Sequence, residues 1–211
     1  MVRPRGRDRD RGRVGTLSAV STQVSTESTA RANTRRILIG VTGGIAAYKT
    51  ASLVSALVQR GDDVVVAMTD SATQFVGSTT FSSLTGREVL LNMWEAHEGR
   101  TSPHVHFATW ADAMLIAPCT MDMLGKLATG RTDDAVSLLA AAIDRRTTPV
   151  LLAPSMNAVM LSQPATVRNL AQLRDDGFTV LEPAAGWQAC RTEGAGRMPE
   201  PDELQSALEL V

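Results

Sequence analysis

The chain has only two cysteines, Cys119 and Cys190, in 211 residues. Two thiols cannot build a disulfide framework, and neither stands in the Cys/His spacing of a zinc site, so no metal is expected. Charge of one sign is missing too: 21 basic and 22 acidic side chains leave a formal net charge of -1. No bulk field therefore draws the chain to nucleic acid or to an anionic membrane. A secretory h-region and an apolar run of membrane-spanning length are both absent, which points to the cytoplasm. There is no internal repeat. With 44% hydrophobic residues, the length is right for one sizeable core and hardly two.

Residues 1–34 differ in composition from the rest. Arginine alternates with small or acidic residues up to Arg13, and a Ser/Thr-rich stretch runs on to Thr34. Such a segment buries too little apolar surface to offset its ordering entropy, and disorder is expected. It reads either as a basic arm for an acidic partner or as a dispensable tail. Asp8, Asp10 and the lack of an amphipathic pattern set it apart from a transit peptide. The folded domain is expected over 35–211.

That domain opens on Ile37-Leu-Ile-Gly-Val41, an apolar run suited to an inner strand. Thr42-Gly43-Gly44 breaks it, and helical spacing follows over 45–59. A strand, a glycine turn and a helix start aim backbone N–H groups and a helix dipole at one spot, which suits an anion. No Gly-Lys-Ser/Thr follows, so the turn is no Walker loop, and a plain tight connection is the competing reading. Further strands are expected at 63–68, 113–117, 149–153 and 179–181, with helices at 121–129, 132–143, 163–176 and 201–210. Gly61 suits a helix C-cap, and Thr69 a cap for a helix running toward Phe81 or a phosphate contact. The alternation implies a single α/β domain, a mostly parallel sheet with helices on both faces.

Two inner strands end in Ala-Pro and a polar segment, at Ala117-Pro118 and Ala153-Pro154. Proline is expected to stop each strand and send Cys119–Asp122 and Ser155–Asn157 off the carboxyl edge, beside the glycine turn. Open α/β sheets bind ligands there. His104 is a candidate general base in Pro103-His-Val-His106, although local pattern separates it neither from His106 nor from a plain loop histidine. His97 looks solvated. Asn157 can donate to a carboxylate or close an Asx turn. Asp122 can cap a helix or accept from a ring N–H. The aperiodic stretch 186–199 reads as a mobile loop carrying Cys190 beside Arg191, a candidate proton donor or nucleophile. Cys119 reads as a small filler.

Four blocks then resemble the homo-oligomeric flavin-containing cysteine decarboxylases, the family of phosphopantothenoylcysteine decarboxylase and of the lantibiotic-type peptidyl-cysteine decarboxylases. They are Gly43-Gly44-Ile45, His104-Val-His-Phe with Trp110-Ala-Asp112, Ala117-Pro-Cys-Thr-Met-Asp-Met123, and Pro154-Ser-Met-Asn-Ala-Val-Met-Leu161, and the likeness covers about 37–204. The resemblance implies a Rossmann-like (flavodoxin-like) subunit that binds FMN at a trimer interface, as a homotrimer or a trimer-based dodecamer. It picks His104 as the base and gives the substrate carboxylate to Asn157, with Met156 beside it. Gly43, Gly44, Ile45 and Thr69 would hold the flavin phosphate end, and Thr120, Met121, Asp122 and Met123 would lie along the ring. Gly194, Gly196, Arg197 and Met198 would form a substrate clamp with Cys190, the last proton donor in the coenzyme A branch.

The implied chemistry oxidises a cysteine side chain to a thioaldehyde, from which CO2 leaves to give an enethiolate. The retained Cys190 and Gly194-Ala-Gly-Arg-Met198 favour 4′-phosphopantothenoylcysteine as substrate. Asp122 in place of an asparagine, Leu161 in place of a tryptophan, bulkier Met121 and Met123, and no stretch resembling a fused synthetase favour the C-terminal cysteine of a ribosomal peptide. A third reading is a silent flavoprotein that regulates a partner.

Overall fold

The computed structural model describes residues 34–211. The tail expected over 1–34 lies outside them except for Thr34. The apolar runs form five parallel strands: β1 (Arg36–Val41), β2 (Asp63–Met68), β3 (Ala113–Cys119), β4 (Val150–Pro154) and β5 (Thr179–Val180). Their order is β2-β1-β3-β4-β5. The inner strands are apolar without interruption because both faces of the sheet are covered.

Successive residues of β1 serve opposite cores. Ile37, Ile39 and Val41 meet Leu53, Leu57, Phe81 and Leu204, which come from α1 (Ala47–Arg60), α2 (Ser78–Thr85) and α8 (Pro201–Glu209). Leu38 meets Phe107, Leu124, Val136 and Leu170 on the other face. Those side chains come from α3 (Pro103–Trp110), α4 (Met121–Ala128), α5 (Ala135–Ala142) and α7 (Pro164–Asp175). The expected single α/β domain is thus observed. Among the described residues, no helix is long and apolar enough to cross a membrane.

Several local expectations change. Thr69 caps only a short 3-10 turn, Asp70–Gln74, and extended Gly77 separates it from α2, so no continuous helix reaches Phe81. Helix α5 starts at Ala135 because Asp134 and Ser137 close a capping box there. Pro118 does not end β3. The pairing breaks after Ile116 and resumes at Cys119 opposite Pro154 after a register shift, so the proline, which has no N–H to donate, falls within the interruption of the ladder. The stretch expected as a mobile loop is an antiparallel hairpin, β6 (Ala184–Trp187) with β7 (Glu193–Arg197).

The chain runs from β1 outward to β2 and then crosses back to β3. The carboxyl ends of β1 and β3 therefore flank the topological switch point, where the following loops part and leave a crevice.

Candidate functional site

Thr42 closes the end of β1. Its buried hydroxyl donates to the Pro118 carbonyl at 2.6 Å and accepts from the Thr120 N–H at 3.1 Å, tying the β1 end to the β3 end. In the turn that follows, Gly44 N–H returns to the Thr42 carbonyl at 2.9 Å. The N–H groups of Gly43, Ile45 and Ala46 find no acceptor among the described residues. They lie ahead of the 14-residue α1, so the helix dipole adds to their pull on an anion. A Cβ at Gly43 would stand 2.4 Å from Ser71 Cβ, which brings the Ser71 hydroxyl alongside the turn.

Beside it, Thr120 accepts from Met123 N–H at 3.4 Å and caps α4. The cap is therefore Thr120 and not Asp122, which lies inside the first turn of the helix. There the Asp122 carboxylate is exposed and stands 3.5 Å from the Lys126 ammonium. From β4, the Ser155–Asn157 turn is fixed by Ser155 N–H to the Cys119 carbonyl and Met156 N–H to the Gly196 carbonyl, each at 3.0 Å. The Asn157 side-chain oxygen accepts from Met160 N–H at 2.8 Å and caps α6 (Ala158–Ser162). This leaves the amide NH2 as the free end, a donor.

These segments enclose a cavity of about 660 Å³. Of the residues singled out from the sequence, Gly43, Gly44, Ile45, Thr69, Thr120, Met121, Asp122, Met156, Asn157, Cys190, Gly196, Arg197 and Met198 line it. Three do not. Met123 is wholly buried in the core under α4, and Gly194 faces Ala158 of α6 instead. His104 sits in the first turn of α3, half-buried, with its Nδ1 buried and without a partner among the described residues. His97 is not solvated: it is buried edge-on against Phe107, and this burial pushes its pKa down. Lys49, Ser71, Trp187 and Gln188 line the cavity and were missed from the sequence. Only Ser71, two residues past a strand-end threonine, carried a readable cue.

The flavoprotein family profile matches residues 25–209. The chain belongs to this flavoprotein family. A curated relative, the coenzyme A biosynthesis bifunctional protein CoaBC of Bacillus subtilis, is 41% identical over 179 residues. The match takes in 84% of this chain but 43% of that protein, so the chain spans less than half the relative's length. A PPC decarboxylase variant solved with pantothenoylaminoethenethiol superposes with a TM-score of 0.75 at 28% identity, covering 84% of this chain and 98% of that one. The FMN-dependent cysteine decarboxylase SpaF gives 0.69 at 31% identity, covering 83% and 94%.

In this flavoprotein the hairpin forms one cavity wall. Cys190, at its tip, is exposed, with Sγ 2.9 Å from the Thr192 hydroxyl. Cys119 is fully buried, and burial pushes its thiol up, in keeping with a filler. Gly196 pins the hairpin: its φ is +119°, and a Cβ there would lie 2.1 Å from the Met156 carbonyl oxygen. Gly196→Ala should undock β7 from the Ser155–Asn157 turn and open the cavity. Limited proteolysis should then cut the hairpin at least about tenfold faster while the sheet stays folded. An unchanged digestion pattern would refute that anchoring role.

Proposed function

We propose that this flavoprotein binds FMN in the cavity and decarboxylates a cysteine whose nitrogen is in amide linkage. The observation that carries the reading is the meeting of an anion cradle, a free amide donor and a thiol in one cavity at the β1/β3 switch point. The names of similar proteins support it: SpaF as an FMN-dependent cysteine decarboxylase, and PPC decarboxylase with an aminoethenethiol bound. The residues fit a flavin phosphate. Three free N–H groups and the Ser71 hydroxyl converge where a Cβ at Gly43 would intrude. Thr69, Gly44 and Ile45 complete that end, and Thr120, Met121 and Asp122 offer a wall for the ring.

When bound, FMN supplies a two-electron sink that turns the cysteine side chain into a thioaldehyde, from which CO2 departs to leave an enethiolate. The residues of the chain do the rest. Asn157 donates its free NH2 to the substrate carboxylate and orients it. His104 takes the thiol proton. Cys190 would return a proton to the enethiolate carbon, its S–H bond breaking as the C–H bond forms, and the two electrons taken up by the flavin would go back as a hydride to the sulfur-bearing carbon, so that the saturated thiol is left and only CO2 is lost overall. Because His104 does not line the cavity of its own chain, we assign it to the cavity of a neighbouring copy, in a homotrimer or a trimer-based dodecamer. Exposed Val105 beside it, and exposed Ile45 and Tyr48 at the cavity, supply apolar surface for such a contact. Two unpaired thiols agree with a cytoplasmic site of action.

The substrate we favour is 4′-phosphopantothenoylcysteine. The second reading is the C-terminal cysteine of a ribosomal peptide, favoured by Met121, Asp122, Met123 and Leu161, where the chain departs from the motifs it resembles. Mass spectrometry of the products separates them. Loss of CO2 alone from phosphopantothenoylcysteine is the expected result. Loss of CO2 plus two hydrogens from a peptide ending in cysteine, with the first compound untouched, would make the second reading correct. No CO2 from either compound would refute both.

A further inference from the structure

Lys49 and Arg197 both line the cavity, and both reach the same atom. Lys49 Nζ stands 2.6 Å from Glu200 Oε1, and an Arg197 guanidinium nitrogen stands 2.8 Å from that same oxygen. One carboxylate thus serves two cations, which leaves this cluster of three side chains one positive charge in excess. Glu200 is not free to swing between them. Its side chain also accepts from the Glu203 backbone in the capping box that starts α8, where the Glu203 carboxylate returns to Glu200 N–H at 2.7 Å. Asp122, the acid on the lining, is exposed and stands 3.5 Å from Lys126, an ammonium that Asp133 and Asp134 also share.

The donors outnumber this acceptor. A guanidinium has five N–H bonds and an ammonium three. One of each is used on Glu200, so four and two remain without an acceptor among the described residues. The Lys49 side chain is only 12% exposed, so water cannot freely satisfy it. The Arg197 side chain is held in place by close approach: it lies over Gly186, where a Cβ would stand 2.6 Å from a guanidinium nitrogen. The facing strand has thus been kept bare to admit it. A rigid fork and a buried ammonium with spare donors match an oxyanion that carries several acceptor oxygens and more than one charge.

We infer that Lys49 and Arg197 receive the phosphate monoester at the far end of the substrate and make the enzyme select phosphorylated over dephosphorylated cysteine amides. The inference rests on the decarboxylase reading above. A phosphate monoester also occurs on the flavin, but that one has its own cradle at Gly43, Ile45, Ala46 and Ser71. A peptide ending in cysteine offers only its carboxylate at this cavity.

The test compares kcat/KM for 4′-phosphopantothenoylcysteine and for pantothenoylcysteine in the full-chain holoenzyme, in Lys49→Gln and in Arg197→Gln. Flavin content is read from the absorbance of each purified protein. The wild type should prefer the phosphorylated compound, and each variant should lose that preference about 10- to 100-fold through KM, with flavin content held. Arg197→Lys should recover part of it. Equal losses for both compounds would mean a merely structural role and overturn the inference. Loss of flavin would assign the pair to the cofactor phosphate and overturn it as well. Calorimetric binding of 4′-phosphopantetheine against pantetheine gives the same comparison without turnover. Should the wild type release no CO2 from either compound, the decarboxylase reading falls, while equal binding of those two probes would sink the anion receptor on its own.

Discussion

Replacing His104 by asparagine should give a protein that keeps its flavin colour but releases CO2 roughly 100- to 10,000-fold more slowly. Asparagine approximates the size of the ring and can still hydrogen-bond, but it cannot take a proton at neutral pH. Nothing near the histidine predicts collapse. Its Nδ1 has no partner to lose among the described residues, and the core of α3 is carried by Phe107 and Ala108. The position of His104 outside its own cavity adds a second expectation. A His104→Asn chain and an Asn157→Asp chain, each inactive alone, should regain part of the activity when co-assembled, because mixed oligomers then contain an intact histidine facing an intact cavity. Full turnover by His104→Asn alone would remove the histidine as base. Silence in the mixed oligomers would remove the contact across copies.

Gly43→Ala should abolish flavin retention, with an expected loss of FMN affinity of roughly 100-fold or more, about 2.7 kcal/mol. The added methyl would stand 2.4 Å from Ser71 Cβ and 3.0 Å from the Ser71 backbone carbon. Ser71 cannot step back, because it sits inside the 3-10 turn that Thr69 caps. The cradle then fills with carbon where the anion would lie. Gly44→Ala is the matched control. Its methyl would meet only Thr120 Cγ2 at 3.5 Å and Pro118 Cγ at 3.6 Å, ordinary contacts, so most of the flavin should stay. The comparison uses FMN titration by fluorescence, with circular dichroism to show that both variants fold. Equal retention in the two variants would dismiss the turn as the phosphate cradle.

The sheet was legible because its strands carry long-range burial in a local signal. Runs such as Ile37–Val41 and Ala113–Ala117 are apolar at every position, as strands covered on both faces must be. The hairpin was not legible, for the opposite reason. Glu193-Gly-Ala-Gly-Arg197 holds no β-branched residue and no alternation, and it pairs because Met156 and the cavity wall hold it in place. Resemblance named Gly43, Thr120, Asn157 and Cys190, which lie in contiguous motifs and which the fold brings to one cavity. Lys49 escaped notice: a lysine in the first turn of a helix looks solvated until α8, some 150 residues later in the chain, delivers Glu200 to it. Met123 was assigned to the cofactor by position in its block, but helical geometry turns its side chain down into the core.

The Thr42 hydroxyl also bears on how long the molecule survives. It is bonded at once to the β1 lip and to the β3 lip of the cavity, so neither lip loosens without straining the other. The two belong to one unit of local opening. A ligand that grips only the glycine turn therefore steadies Thr120 and the start of α4 as well, through mass action on that shared opening. Loading with FMN should therefore slow proteolysis at the Thr120 lip as well as at the glycine turn.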